Sequence, residues 1–322
     1  MHTPQRTLTI LDPTSLLGRE LTDDVARAFP EFRRLLFHTD AEPEHQIADV
    51  GGEAALVPPL LELDELEGSA VVVLTAPPPP EVARHLVAWM RSRPSIALLD
   101  CTQPGIAPGE TASVMDGAPS ERRVLPWFHL VDPSLAAPAR WLRALLPLAP
   151  ERFFATLLAP VSGFGAAAVD ELAAQATARL SGGATRHPVH LPAVLAFDLA
   201  PAGSERVAAV EAQLAELFPA VERELHLIDV GVFHGNLATV LLRCANDASL
   251  ERARALLRAT PGVRLARRGE SLTTSGGAGG EHVICGELRV HGPWVSAWLF
   301  TDGLRVGGAH AVLGVLRSLS GS

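Results

Sequence analysis

The stretch LTILDPTSLLGREL, Leu8–Leu21, places a short apolar run before a tight turn and a helix-forming segment. Such a turn can bind the pyrophosphate of a dinucleotide through three glycines, which permit a left-handed backbone, close approach of the phosphates and close packing of the helix. Gly18 occupies the third glycine position, whereas Asp12 and Ser15 occupy the first two. The candidate dinucleotide contacts in the turn are therefore Thr14, Ser15 and Gly18.

An acidic residue follows this turn at the spacing of a ribose-binding acid. Asp40 comes about 20 residues after Gly18, where a carboxylate would bind a ribose hydroxyl and favour NAD over NADP. The same residue could instead begin a solvated acidic loop, DAEPEH. Asp12 would repel the phosphates and Ser15 would crowd them. We therefore expect no cofactor, with NAD or NADP as the dinucleotide if one is retained.

Thiols, histidines and one further turn are the other groups that could do chemistry. Cys101 ends an apolar run and could be a reactive thiol, although a buried structural thiol is the commoner interpretation of such a position. Ser162 and Gly163 precede a predicted helix, whose backbone N–H groups could bind an anion. The histidines beside the predicted strands match no metal-binding spacing, so we predict no metal site: His226, His234, His282 and His291.

The composition excludes several classes of partner and reaction. The chain has 322 residues and a net charge of −9, which argues against nucleic acid as its main partner. All 27 basic residues are arginines, so lysine Schiff-base chemistry is impossible. Three widely separated cysteines fit a reducing compartment, and no uncharged apolar run is long enough to span a membrane. We predict a cytoplasmic protein without a membrane partner.

The order of elements predicts an α/β fold with two domains. Over the first 130 residues, short apolar strands such as SAVVVL alternate with helical segments, which is typical of a parallel, Rossmann-like sheet. The segment LVDPSLAAP near residue 132 marks a boundary, and the pattern beyond it is α+β. We expect a dinucleotide-binding-like domain over residues 1–133, completed by the C-terminal helix within 303–322. Residues 134–302 would form the second domain.

Seven segments, taken in order, resemble the aspartate-semialdehyde dehydrogenase family over nearly the whole chain. The resemblance is carried by the turn with Thr14 and Gly18, the strand end at Asp100, VSGFG (161–165), AFDLAP (196–201), VGVFHGNLATV (230–240), HVICGELRV (282–290) and TDGLRVGGAHAV (301–312). The resemblance implies an NADP-dependent enzyme with a cysteine nucleophile, a proton-transferring histidine and cationic substrate contacts. It also implies a homodimer formed through the sheet of the second domain.

The positions that match the family's functional residues hold different side chains here. They are Ala159 for a glutamine, Asp229 for the substrate arginine, Asn236 for the catalytic histidine, His234 for a second arginine and Val306 for a lysine. No cysteine lies between Cys101 and Cys244, the interval in which the resemblance places the nucleophile. Either Ser134 or Leu135 stands at that position, or the nucleophile loop is deleted, which the short length of this region favours.

Two function classes follow from these residues. The first is a catalytically inactive homologue, a dimeric binding or interaction protein whose protein partner the sequence does not identify. The alternative is an NAD(P)-dependent oxidoreductase of the family with an altered substrate and nucleophile. The missing cysteine and Asp229 favour the first, because an acid in place of a base repels an anionic substrate.

Overall fold

The chain forms two compact units. A computed structural model describes residues 6–40, 45–50, 52–117 and 125–320. One unit comprises Met1–Leu130 with Gly308–Ser322, and the other comprises Val131–Gly307. Most of the acidic loop considered after Asp40 lies outside the described residues.

The first unit contains a parallel sheet with helices. Its elements up to residue 130 are β1 (Thr7–Leu11), α1 (Leu16–Ala28), β2 (Arg33–Phe37), β3 (Gln46–Val50), β4 (Glu53–Val57), β5 (Ser69–Leu74), α2 (Pro80–Arg91), β6 (Ala97–Asp100), β7 (Ala112–Val114) and β8 (Trp127–Leu130). Within the described residues the sheet has the order β2-β1-β5-β6-β8-β7, all parallel, while β3 and β4 form an antiparallel hairpin.

The second unit is a mixed sheet with helices. Its elements are α3 (Ala136–Ala144), β9 (Pro150–Ala159), α4 (Ala166–Leu180), β10 (Leu199–Pro201), α5 (Ser204–Leu217), β11 (Glu222–Val230), β12 (Asn236–Cys244), α6 (Leu250–Ala259), β13 (Val263–Leu265), α7 (Thr274–Gly277), β14 (Val283–His291) and β15 (Trp294–Thr301). The strand order is β10-β11-β9-β12-β15-β14-β13. A π-helical segment, Gly303–Ala309, precedes α8 (His310–Ser320), which belongs to the first unit and packs on α1 within it.

Burial explains why these sequences form these elements. The run SAVVVL is buried along nearly its whole length in β5, as expected for a parallel strand covered on both faces. In β12 burial alternates instead: Ala238, Val240 and Leu242 are buried, and Leu241 is exposed. The second sheet therefore has one covered face and one open face. The predicted α/β fold class is confirmed.

No helix within the described ranges combines the length and apolarity needed to cross a membrane.

Gly18 provides a test of the strand–helix packing. A Cβ atom at this residue would lie 2.6 Å from the carbonyl oxygen of Asp12 and 2.6 Å from the carbonyl carbon of Pro13. Alanine normally stabilises a helix relative to glycine. We expect the opposite here, with Gly18→Ala lowering the free energy of unfolding by about 1–3 kcal/mol in urea titrations, because backbone atoms must move.

Gly163→Ala is the control for this substitution. The nearest atom to its added Cβ would be a guanidinium nitrogen of Arg206 at 3.8 Å, which is ordinary contact. We expect the control to change stability by less than about 0.5 kcal/mol. Equal urea midpoints for Gly18→Ala and the natural protein would contradict the close packing.

Candidate functional site

Asp12 links the ends of two neighbouring strands of the first unit. It follows β1 with φ of +60°, a left-handed conformation that aspartate tolerates better than most residues. Its two carboxylate oxygens accept hydrogen bonds from the backbone N–H of Thr39 at 2.7 Å and from the Thr39 hydroxyl at 2.8 Å. Burial raises the pKa of Asp12, and the bonds from Thr39 oppose that rise. The carboxylate thus binds within the chain.

Ser15 caps the helix that follows the turn. Its Oγ accepts a hydrogen bond from the N–H of Gly18 at 2.9 Å and donates to the Thr75 hydroxyl at 3.0 Å. The Thr75 hydroxyl in turn donates to the carbonyl oxygen of Asp12 at 2.7 Å. The helix N–H that would face a phosphate is therefore taken by a side chain, and a carboxylate lies in the same turn. These residues do not fit a pyrophosphate.

A glutamine joins the remaining predicted dinucleotide contacts. Thr14 donates from its hydroxyl to Oε1 of Gln46 at 2.6 Å, and Nε2 of Gln46 donates to a carboxylate oxygen of Asp40 at 2.6 Å. The other oxygen of Asp40 lies 2.7 Å from Nδ1 of His38. The fold thus brings Thr14 and Asp40 together through Gln46, a residue that the sequence analysis did not select. Its partners are more than five residues away along the chain, so sequence spacing carried no signal.

Cys101 has the environment of a structural thiol. It is half-buried beside the strand end, and burial raises the pKa of its thiol well above the ordinary value. The adjacent carboxylate of Asp100 raises that pKa further. Nucleophilic cysteines instead have electropositive surroundings that stabilise the thiolate. Cys101 therefore stays protonated at neutral pH.

Three residues that the resemblance matches to functional positions of the family lie at one end of the second sheet. Ala159 ends β9 and is the register partner of Asp229 on the parallel strand β11. Asn236 begins β12 and is 5% exposed. Ala159 and Asn236 line a small cavity together with Ser162 and Gly163. The space in this cavity is about 10 Å³, enough for about one water molecule.

The backbone N–H groups of Ser162 and Gly163 have partners within the chain. The N–H of Ser162 donates to the carbonyl of Phe233 at 3.0 Å, and that of Gly163 donates to the carbonyl of Pro160 at 3.1 Å. The long helix α4 begins only at Ala166. Both of these N–H groups are therefore paired within the chain, and an anion site at the start of α4 stays a prediction.

A buried ion cluster lies beside the cavity. Nη1 of Arg206, in the first turn of α5, lies 2.6 Å from a carboxylate oxygen of Asp229. Nε and Nη2 of the same residue each lie 3.4 Å from Oδ2 of Asp132, and the guanidinium lies 4.8 Å from the ring centre of Phe164. Both carboxylates are buried. Burial raises the pKa of Asp229, and Arg206 opposes that rise.

This cluster differs from the cationic, anion-binding site that the family resemblance implies. A guanidinium that lines the cavity is already balanced by two carboxylates, so it does not offer a free anion clamp. Sequence analysis found Asp229 but missed Asp132 and Arg206. A signal was available, because an acid at the end of a buried strand requires a nearby cation.

Ser134 and Asp132 also line the cavity, and the hydroxyl of Ser134 donates to a carboxylate oxygen of Asp132 at 2.5 Å. Oδ1 of Asn236 has no hydrogen-bond partner among the described residues. Cys244 lies at the opposite end of β12 from Asn236, and burial raises the pKa of Cys285, on β14, to about 12. In the described part of the chain no group of three or more metal-binding side chains occurs.

The comparisons with known proteins place the chain in a family. The model of the semialdehyde dehydrogenase dimerisation domain matches residues 142–306, just over half of the chain. The chain therefore belongs to the semialdehyde dehydrogenase family. No curated protein matches the sequence.

Solved structures share the fold of the chain. Aspartate semialdehyde dehydrogenase II from Vibrio cholerae, complexed with ASA, is 20% identical over 99% of each chain with a TM-score of 0.88. A probable aspartate-semialdehyde dehydrogenase from Pseudomonas aeruginosa is 22% identical over 96% of this chain and 97% of its own, with a TM-score of 0.82. The Candida albicans enzyme with NADP is 10% identical over 98% and 99%, with a TM-score of 0.72.

Arg206→Met tests the buried cluster. The substitution leaves two buried carboxylates without their cation, so we expect a loss of about 3–5 kcal/mol in the free energy of unfolding at pH 7. It also removes the group that opposes the raised pKa of Asp229. A carboxyl whose pKa is raised on folding loses stability as pH rises through that pKa. The loss in the free energy of unfolding relative to the natural protein should therefore become smaller as the pH falls towards 4.

Arg243→Met is the matched control, because Arg243 pairs with Glu151 on the protein surface. Exposed pairs contribute about 0–1 kcal/mol, so this variant should change little at either pH. Similar losses for the two variants in urea titrations would contradict a special role for the buried cluster.

Proposed function

We propose that this chain is a non-catalytic member of the semialdehyde dehydrogenase family that acts as a dimeric binding or interaction protein. The observation that carries the proposal is the site at Ala159, Asp229 and Asn236. Its cavity has room for about one water molecule, and its arginine is paired with two carboxylates.

The chemistry implied by the family resemblance needs a thiolate, a proton-transfer group and a free cation. Asn236 stands at the position of the histidine and has no titratable side chain. The thiols of the second unit are buried, and burial raises the pKa of both Cys244 and Cys285. Each requirement is therefore unmet by the residues that match the family's positions.

The turn in the first unit supports the loss of dinucleotide binding. Ser15 occupies the N–H of Gly18, and Asp12 adds to the same turn a carboxylate that is bound to Thr39. Displacing these internal hydrogen bonds would oppose binding of NAD or NADP. We infer that the unit has kept the packing of a dinucleotide-binding fold without its ligand.

The open face of the second sheet supports a homodimer. Phe154, Leu241 and Trp298 line a broad concavity on this face, and Trp298 is 44% exposed although it lies in the middle of the sheet. These apolar side chains lie among charged and polar ones such as Glu224 and Arg289. Exposed apolar surface with a polar surround is typical of interaction sites. The match to a dimerisation domain favours a second copy as the partner.

We expect no turnover and no dinucleotide binding. Purified protein should show no phosphate-dependent reduction of NADP or NAD with aspartate semialdehyde. Thermal-shift titrations with the oxidised and reduced dinucleotides should show little stabilisation, because a ligand that binds the folded state must raise apparent stability.

Saturable stabilisation below about 100 μM would favour the altered oxidoreductase instead. Turnover that disappears in Cys101→Ala would identify Cys101 as its nucleophile. Turnover that persists in this variant would place the nucleophile elsewhere, and either result would end the non-catalytic proposal.

Trp298→Asp tests the dimer. A buried, unpaired carboxylate at the centre of an interface should weaken self-association by about tenfold or more, measured by sedimentation velocity. Leu180→Asp is the control, because Leu180 is 78% exposed at the end of α4. Equal association of the two variants would argue against the open face as the interface.

A further inference from the structure

A tight turn before β10 holds an aromatic residue in a left-handed conformation. Leu195 to Asp198 form the turn, in which the N–H of Asp198 donates to the carbonyl of Leu195 at 2.8 Å. Phe197 is the third residue and has φ of +61°. Glycine or asparagine is preferred at such a position, and a bulky side chain there is strained. Strained residues of this kind cluster at functional sites.

The turn is seated closely on the strand beside it. The N–H of Gly231 donates to the carbonyl of Asp198 at 3.0 Å. A Cβ atom at Gly231 would lie 1.9 Å from the carbonyl oxygen of Leu195, so only glycine permits this approach. The backbone contacts thus determine the shape of the turn.

The side chain of Phe197 has little contact with the rest of its own chain. It is 67% exposed, although aromatic rings contribute to stability chiefly by burial. Folding therefore strains the backbone at Phe197 without burying most of its ring. A contact outside the chain would account for both features.

Strand β10, which begins two residues after Phe197, places Leu199 and Pro201 on the open face of the second sheet. Pro201 of β10 pairs with Ile228, which pairs with Leu158, which pairs with Leu237. Paired residues on neighbouring strands share a face, so these four side chains form an apolar row across the sheet. Leu199 pairs with Val230 beside this row and is 59% exposed. Phe197 precedes Leu199 by two residues.

We propose that Phe197 is an anchor residue through which a second copy of this chain docks at the edge of the open face. The inference rests on the proposed dimer and adds a specific contact to it. The second copy is the occupant favoured by continuity with the apolar row, within a domain that matches a dimerisation-domain model. An isologous interface would use the same residue from both copies.

Phe197→Gly distinguishes an interface anchor from a residue needed for folding. Loss of an anchor weakens dimerisation while the folded monomer becomes more stable, whereas loss of a folding residue makes the monomer less stable. Glycine relieves the left-handed strain, so the urea midpoint at protein concentrations well below the dimer dissociation constant should rise. Removing the ring should weaken dimerisation at least about tenfold in sedimentation equilibrium. Phe197→Tyr keeps the ring, and its dissociation constant should stay within about threefold of the natural protein.

Ala149→Gly is the matched control. Ala149 is also exposed and left-handed, with φ of +52°. The glycine variant should raise the urea midpoint in the same way but leave the dissociation constant unchanged. A general effect of backbone strain on association would instead appear in both variants and would overturn the inference.

Two further results would overturn it. If the natural protein dimerises and Phe197→Gly dimerises equally well, the anchor is wrong while the dimer stands. If the natural protein is monomeric at about 100 μM, the proposed dimer fails and the anchor fails with it. Weaker dimerisation of Phe197→Gly alone, with a raised urea midpoint, supports the anchor.

Discussion

The ion cluster of Asp132, Arg206 and Asp229 is the constraint on which the second unit's site depends. Buried carboxylates are tolerated only when cations and hydrogen bonds compensate their lost hydration. Arg206, on α5, supplies that compensation to Asp229 on β11 and to Asp132, which precedes α3. Its guanidinium is consequently held against the chain's own acids. A site arranged in this way suits internal pairing better than the capture of an anion.

The first unit follows the same principle with different groups. Asp12 binds Thr39, and Ser15 binds the helix N–H that a phosphate would need. Gly18 is required for a separate reason, because the backbone of the turn leaves no room for a side chain. Packing and ligand binding are thus separable demands on one turn. The packing of a Rossmann-like turn is thus compatible with these groups pairing within the chain.

Periodicity was sufficient to predict the fold class, because whole strands such as SAVVVL are buried on both faces and whole helices are amphipathic. The site was predicted less completely. Asp229 was found through the family resemblance, but its partner Arg206 lies 23 residues earlier on another element. The N–H of Ser162 pairs with the carbonyl of Phe233, a contact far along the chain that the local sequence does not indicate.

The sequence by itself determined the alternation of elements and the residue types along the chain, including the absence of a cysteine between Cys101 and Cys244. These properties are local or compositional, so no coordinates were needed. The tertiary structure decided which groups satisfy one another. It paired Asp229 with Arg206 and exposed Phe197 on a strained turn. Hydrogen bonds, burial and backbone strain depend on residues that meet only when the chain is folded.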